Sequence, residues 1–359
     1  MKKLEGLNLI RELTALFGPS GCEDAVRDFI AAQIEGDCDG YCIDKAGNLI
    51  AKICGRGMDY EQAENPRRIL LSSHMDEVGF MITEITEEGY LRFGPVGGID
   101  PRVLPGRHVR VGKTPVQGVI ASKAIHMQTA EERTKVIPVR QLYMDIGAKD
   151  KADAESMVSV GDWGVFDSDF VSFGKDNAMM KAKALDDRVG CALLIEVMRD
   201  LKSRPCDRPF DLYFAFTCCE EVGISGASVA AFGVSPELAI VLESTAIHDL
   251  PNVPERSRVG KVGAGGTLSL ADNGTIYDRA FVDYALRTAA DKEIPVQVKQ
   301  AVSGGNDAAH IQKSMSGVRV LALSLPTRYI HSASNVACYA DYESMRALLL
   351  AMLREWKLD

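Results

Sequence analysis

Leu4, Leu7, Ile10 and Leu13 recur at helical spacing along the opening stretch, with Glu5, Arg11 and Glu12 between them. That pattern predicts an amphipathic helix with one face toward a core. After the break "GPSG" at 18–21, Val26, Phe29, Ile30 and Ile34 mark one face of a second helix. The period then shortens: "YCIDKAGNLIAKI" predicts two strands around a Gly47-Asn48 turn. "RRILLSSHMDEVGFMI" predicts an apolar strand that runs out into the polar tip His74, Met75, Asp76, Glu77.

From about residue 78 to 170 the texture changes to short Val/Ile-rich runs cut by Gly and Pro, as in "FGPVGGIDPRVLPGRHVRVGKTPVQGVIAS". This predicts a small β-rich, barrel-like unit, with one short helix at "KDKADAESM". Beyond residue 180 the α/β rhythm returns. "DDRVGCALLIEVMRDLK" predicts a helix, "FDLYFAFTCCEE", "ELAIVLES" and "VRVLALSLP" predict strands, and "DYESMRALLLAMLREW" predicts a closing helix. The expected fold class is therefore α/β: a mixed-sheet catalytic domain with helices on both faces, interrupted by the inserted β-rich domain. The expected boundaries are 1–77 with 171–359 for the catalytic domain, and 78–170 for the insert.

The 359 residues, 46% of them hydrophobic, suffice for two such units. A formal charge of −9 without a basic stripe argues against nucleic acid as a partner. The nine cysteines are scattered and never spaced C-x-x-C, a pattern that fits reduced thiols and a cytoplasmic setting. The first helix is broken by charges, unlike a secretory signal, and no apolar run has membrane-spanning length, so no membrane partner is expected.

Functional groups in open α/β sheets collect at the carboxyl ends of strands. Five apolar runs here end, or turn into a helix, with groups able to bind a metal: "ILLSSHMDE", "KALDDRVG", "FTCCEEVG", "IVLEST" and "LPTRYIHS". They offer His74, Asp76, Asp186, Asp187, Glu220, Glu221, Glu243 and His331. Taken singly, each reads as a solvated strand end, a cap or a loop residue; five in one chain point to a shared site. His74 and Asp76 lie two apart, so on an extended chain they share a face and the carboxylate can fix the imidazole tautomer. Asp186 and Asp187 precede a helix; capping by Asp187 would leave Asp186 free. Glu220 and Glu221 end an apolar strand, where two adjacent charges are costly unless they are solvated or meet a cation. Cys218 and Cys219 read as buried structural thiols in preference to ligands. His248 with Asp249, and His310, read as structural or substrate-side; His108 and His126 read as surface groups of the insert.

Taken in order, "SSHMDEVGFMI", "KALDDRVGC", "CCEEVGISGA", "SGGNDA" and "PTRYIHS" resemble the tetrahedral (TET) aminopeptidase family, which includes the glutamyl aminopeptidases. The likeness also covers "LFGPSGCEDAVRDFI" and "QLYMDIGAKDKADAE", so it runs over essentially the whole chain. The resemblance implies a dinuclear metallopeptidase using zinc or cobalt. By position it implies His74, Asp186 and Glu243 on one metal, and Asp186, Glu221 and His331 on the other, with Asp186 bridging. It further implies Glu220 as general base and Asp76 as the group orienting His74. The family's inserted domain mediates dimerisation, and its dimers build hollow tetrahedral dodecamers. Glu243 departs from the Asp of many relatives; its extra methylene moves the carboxylate and bears on metal preference.

These expectations are chemically consistent. Histidine mixed with carboxylate suits zinc or cobalt better than magnesium or calcium. Two divalent ions bring about +4, and three carboxylates with a bridging hydroxide bring about −4, so a buried cluster is near neutral. The expected activity is hydrolysis of N-terminal residues from peptides through a metal-bridging water. An aminoacylase or other amide deacylase is the nearest alternative. A glycosidase with Glu220 or Glu221 in a carboxylate pair is more remote, since it leaves His74 and His331 idle. A non-catalytic assembly protein would be marked by lost ligands, and every matched position holds a competent one.

Overall fold

Strand Arg67–His74 lies in the middle of the main sheet, and its last six residues are all buried. A strand covered on both faces needs an unbroken apolar run, and Ile69, Leu70 and Leu71 supply it. The computed structural model that places these residues describes positions 3–358, so residues 1, 2 and 359 of the expected catalytic domain lie outside the described residues.

The main sheet has eleven strands. Its principal order is Gly40–Ile43, Leu49–Ile53, Phe210–Thr217, Arg67–His74, Leu238–Ala246, Arg319–Arg328, Asn335–Cys338, Met179–Ala182 and Val171–Phe173. Outside that path Gly266–Leu268 pairs with Arg319–Arg328, and Val296–Val298 pairs with Gly266–Leu268. The four central strands Phe210–Thr217, Arg67–His74, Leu238–Ala246 and Arg319–Arg328 are mutually parallel, so their carboxyl ends open at one edge. The first two strands form the expected hairpin, with Gly47 at a φ of 101° in the turn.

Helices cover both faces of this mixed sheet. Leu185–Ser203 packs on the strands Arg67–His74 and Leu238–Ala246, beneath the opening helix Gly6–Ala15 and the closing helix Tyr339–Arg354. Ser225–Val234 packs on Phe210–Thr217. A large apolar cluster fills the space between sheet and helices.

Between Gly79 and Phe166 the chain forms a closed six-stranded antiparallel barrel with an apolar core of its own. Phe80 anchors that core, meeting Phe93 and Phe166 edge-on at ring distances of 5.2 and 5.1 Å. The short helix foreseen at 149–157 is present at Lys151–Met157. The barrel leaves the sheet immediately after His74, so the strand end and the loops of the barrel face the same cleft.

Candidate metal centre

His74 closes its strand beside Thr217, the last residue of the neighbouring parallel strand. Three residues further on, that neighbour delivers Glu220 and Glu221. Glu243 sits within Leu238–Ala246, and His331 follows Arg319–Arg328. Asp186 stands at the start of helix Leu185–Ser203, where the first residues are not yet helical. There Asp187 caps the helix, accepting from the Gly190 amide at 3.2 Å and from Ser73 Oγ at 2.6 Å. Gly190 is required for this: a Cβ would fall 2.4 Å from Asp187 Oδ2 and 2.6 Å from Ser73 Oγ. Asp186 is thereby left free to face the cleft at a helix N-terminus, where negative charge is favoured.

Two groups of donors result, and Asp186 belongs to both. His74, Asp186 and Glu243 offer atoms within 4.8 Å of one another, as do Asp186, Glu221 and His331. Asp186 Oδ1 is 3.3 Å from His74 Nε2, and its Oδ2 is 3.2 Å from His331 Nε2. Glu243 Oε1 lies 3.5 Å from His74 Nε2, and Glu221 Oε2 lies 3.4 Å from His331 Nε2. Asp186 Oδ1 and Glu221 Oε1 are buried and accept no hydrogen bond. Buried carboxylate oxygens without donors, converging with two imidazole nitrogens, are what a bound divalent cation satisfies.

Electrostatics without a cation point the same way. Burial, with Asp186 beside it, raises Glu221 to about 8. Burial, with Asp307, Glu221 and Asp186 nearby, raises Glu220 to about 9. Burial and the neighbouring Asp187 push Glu243 up as well. Burial alone would lower His331, but Asp186 and Glu221 lift it to about 9. Asp186 is held far below the usual carboxylate range despite its burial, because the His331 and His74 imidazoles lie against its two oxygens. The site is crowded with carboxylates that need positive charge.

Asp76 holds the frame together. Its Oδ1 accepts from the Glu220 amide at 3.0 Å, and its Oδ2 accepts from the Glu221 amide at 3.1 Å and from Ser20 Oγ at 2.6 Å. Toward His74 Nδ1 its nearest atom is the backbone carbonyl at 3.1 Å, with carboxylate Oδ1 at 3.4 Å. His331 Nδ1 is fixed by the Gly98 carbonyl at 2.8 Å, a contact delivered from the barrel side. At the adjacent Gly97, with φ of 85°, a Cβ would sit 2.9 Å from Val78 and 3.2 Å from Glu221 Cβ. Glycine lets that loop approach the site. Beneath it, buried Lys183 donates to Glu77 at 2.6 and 2.8 Å, and fully buried Arg188 reaches Glu77, Met75 O, Leu13 O and Gly18 O.

The remaining candidates lie elsewhere. Cys218 and Cys219 group with Glu23, away from the two histidines. His248 is exposed, and Asp249 instead pairs with Arg328 at 2.6 Å. His310 Nδ1 lies 2.8 Å from Ser228 Oγ, and His108 and His126 are exposed on the barrel. The sequence reading missed Ser20, Arg188 and Asp307. Ser20 belongs to "GPSG" and Asp307 to "SGGNDA", two stretches already singled out; Asp307 Oδ2 accepts from Thr217 Oγ1 at 2.6 Å and Ser72 Oγ at 3.1 Å. The Gly98 carbonyl had no side-chain signal to find.

Residues 47–348 match the M42 glutamyl aminopeptidase family. The chain belongs to this family. Membership identifies it as an enzyme of the aminopeptidase type, and M42 enzymes are metallopeptidases. A TET aminopeptidase from a marine-sediment thaumarchaeote is 33% identical with a TM-score of 0.92, over 98% of this M42 chain and 96% of that chain. A TET1 peptidase of Pyrococcus horikoshii, described as able to assemble into a tetrahedron or a large octahedral shell, is 35% identical with a TM-score of 0.85, over 97% and 99%. A Thermotoga maritima protein named endoglucanase is 33% identical with a TM-score of 0.77, over 96% of each chain. A cleft of about 480 Å³ holds the donor groups and is also lined by Thr245, Asp272, Lys299 and Asn306. No helix of the described residues is long and apolar enough to cross a membrane.

Proposed function

We propose that this M42 chain is a dinuclear metal-dependent aminopeptidase that removes N-terminal residues from peptides. The observation that carries this reading is the pair of donor groups sharing Asp186, with orphaned carboxylate oxygens at their centre. His74, Asp186 and Glu243 would hold one cation, and Asp186, Glu221 and His331 the other. Zinc or cobalt suits a set of two imidazoles and three carboxylates.

When bound, such ions polarise the scissile carbonyl and lower the pKa of water. The chain's own residues do the rest. Glu220 takes a proton from the attacking water and returns it to the leaving amine, a contribution typically worth about 10²- to 10⁴-fold. Asp76 keeps Glu220 in reach by holding its backbone amide, and holds His74 from the other side. The cleft brings the reacting groups together, with the barrel loop at Gly98 against His331.

On the same reading, residues 1–77 and 171–359 are the catalytic part, and 78–170 are an inserted module through which copies dimerise. Larger closed assemblies, of the kind described for the Pyrococcus horikoshii relative, would then enclose the active sites and admit peptides but not folded proteins. The free cysteines fit a reducing, cytoplasmic setting.

Two further readings compete. An amide deacylase would use the same ions on N-acyl amino acids. The name of the Thermotoga maritima relative favours a glycosidase, which would need a carboxylate pair and no metal. The buried histidine and the orphaned oxygens have no work in that mechanism. Metal-stripped protein, reloaded with zinc, cobalt or manganese, separates all three when assayed on aminoacyl p-nitroanilides, N-acyl amino acids and a soluble glucan. Metal-restored cleavage of the anilides is expected. Chelator-resistant glucan cleavage would overturn the proposal.

A further inference from the structure

We infer that Cys218, Cys219 and Glu23 form a separate thiol-based site for a thiophilic divalent cation, and that filling it displaces the loop carrying Glu220. The two cysteines are adjacent in sequence and both are free. Their donor atoms and that of Glu23 lie within 4.8 Å of one another, and Cys219 Sγ is 3.5 Å from Glu23 Oε1. A tetrahedral ion bonded at about 2.3 Å to sulfur and 2.1 Å to oxygen keeps such donors roughly 3.6 to 3.8 Å apart. Little rearrangement is needed.

Oxygen acceptors surround the Cys218 thiol. Cys218 Sγ lies 2.9 Å from the Ala46 carbonyl and 3.3 Å from Asn48 Oδ1. Glu23 is a buried carboxylate whose Oε1 accepts from the amides of Gly21 and Cys219 at 2.9 and 3.0 Å. Cys219 is partly exposed, which gives the pair access from solvent. Sulfur donors favour soft cations such as cadmium, whereas the proposed catalytic groups are nitrogen and oxygen only. Binding releases the two thiol protons to solvent and forms two metal–sulfur bonds. No electron is transferred.

Three successive amides connect this site to the centre. Cys219 N–H is held by Glu23, and the next two amides, of Glu220 and Glu221, are held by Asp76. Cys219 has a φ of 54°, in the left-handed region that a non-glycine residue seldom adopts, so its backbone is the strained joint between them. Drawing its sulfur onto a cation turns that joint and moves Glu220. The consequence for turnover, which rests on the proposed aminopeptidase reading, is a loss of roughly 10²-fold, the scale of a 1 Å misplacement.

Cadmium is the probe. Zinc-loaded full-length protein titrated with Cd²⁺ is expected to develop a thiolate-to-cadmium charge-transfer absorption in the ultraviolet, saturating at about one ion per chain. The band should persist in His331→Ala and disappear in Cys218→Ser/Cys219→Ser, with Cys219→Ser alone as the milder variant. Hydrogen exchange at the amides of 219–221 should change with cadmium in the wild type and stay constant in the double variant. An equal band in the double variant would overturn the site, and unchanged exchange with a full band would overturn the coupling. Neither readout uses a peptide, so a failure of the aminopeptidase reading leaves both intact.

Discussion

The Glu220 amide donates to Asp76 Oδ1 at 3.0 Å, so the residue proposed as general base is hung from the strand that ends in His74. Asp76 is fully buried, and its neighbours hold its carboxyl below the ordinary range against the effect of burial. Asp76→Asn puts an amide NH₂ in place of one carboxylate oxygen and leaves a backbone amide facing a donor. Turnover should fall about 10- to 100-fold with KM little changed, the usual scale for a group that supports metal ligands. Steady-state kinetics with metal held saturating checks this; an unchanged kcat would remove Asp76 from the positioning role.

Glu220→Gln keeps the shape of the side chain and removes its ability to accept a proton. Metal content should stay at the wild-type value while kcat drops about 10²- to 10⁴-fold. Elemental analysis beside initial rates tests both halves, and an active variant would reassign the base.

His331→Ala deletes one nitrogen from the group formed with Asp186 and Glu221. The purified variant should lose about half of the bound metal, and its affinity for the lost ion should fall at least tenfold. Retention of the full metal complement after dialysis would count against the proposed ligand set.

In metal-free protein Glu220, Glu221 and His331 titrate at about 9, about 8 and about 9, against ordinary values of 4.5, 4.5 and 6.5. All three are raised on folding, so the folded form holds more protons than the unfolded chain between about pH 5 and 9. Their contribution to stability is complete at the acid end and is lost as pH rises through the folded values. Cation binding must expel the protons on the ligands Glu221 and His331, so metal affinity should rise with pH over this window. The Tm of stripped protein should therefore fall from about pH 6 to 9, while the gap to metal-loaded protein widens. Thermal scans in both states decide it; a constant gap would contradict the linkage.

Arg188 is fully buried and bonds three backbone carbonyls, at Leu13, Gly18 and Met75, as well as Glu77. Arg188→Met fills the volume but leaves those acceptors and part of the Glu77 charge unanswered. Unfolding free energy should drop by about 3 to 5 kcal/mol. Denaturant titration of metal-loaded protein measures it, and a loss below about 1 kcal/mol would show that water or Lys183 takes over.

Local pattern determined a good deal of this protein. Periodicity alone marked the two opening helices, the hairpin around Gly47, the apolar strand ending at His74 and the β-rich interruption that follows, because burial on one face or both leaves a direct trace in sequence. The same trace flagged His74, Asp186, Glu220, Glu221, Glu243 and His331, since charged groups at the ends of buried runs are anomalous wherever they occur. Only the folded chain decided that these residues meet. Asp186 and His331 are 145 positions apart, and their contact depends on the parallel register of four strands and on a helix start shaped by Asp187. The supports were less visible still. Ser20, Arg188 and the Gly98 carbonyl act through hydrogen bonds across separate elements, and no spacing rule records a partner that only tertiary packing brings near.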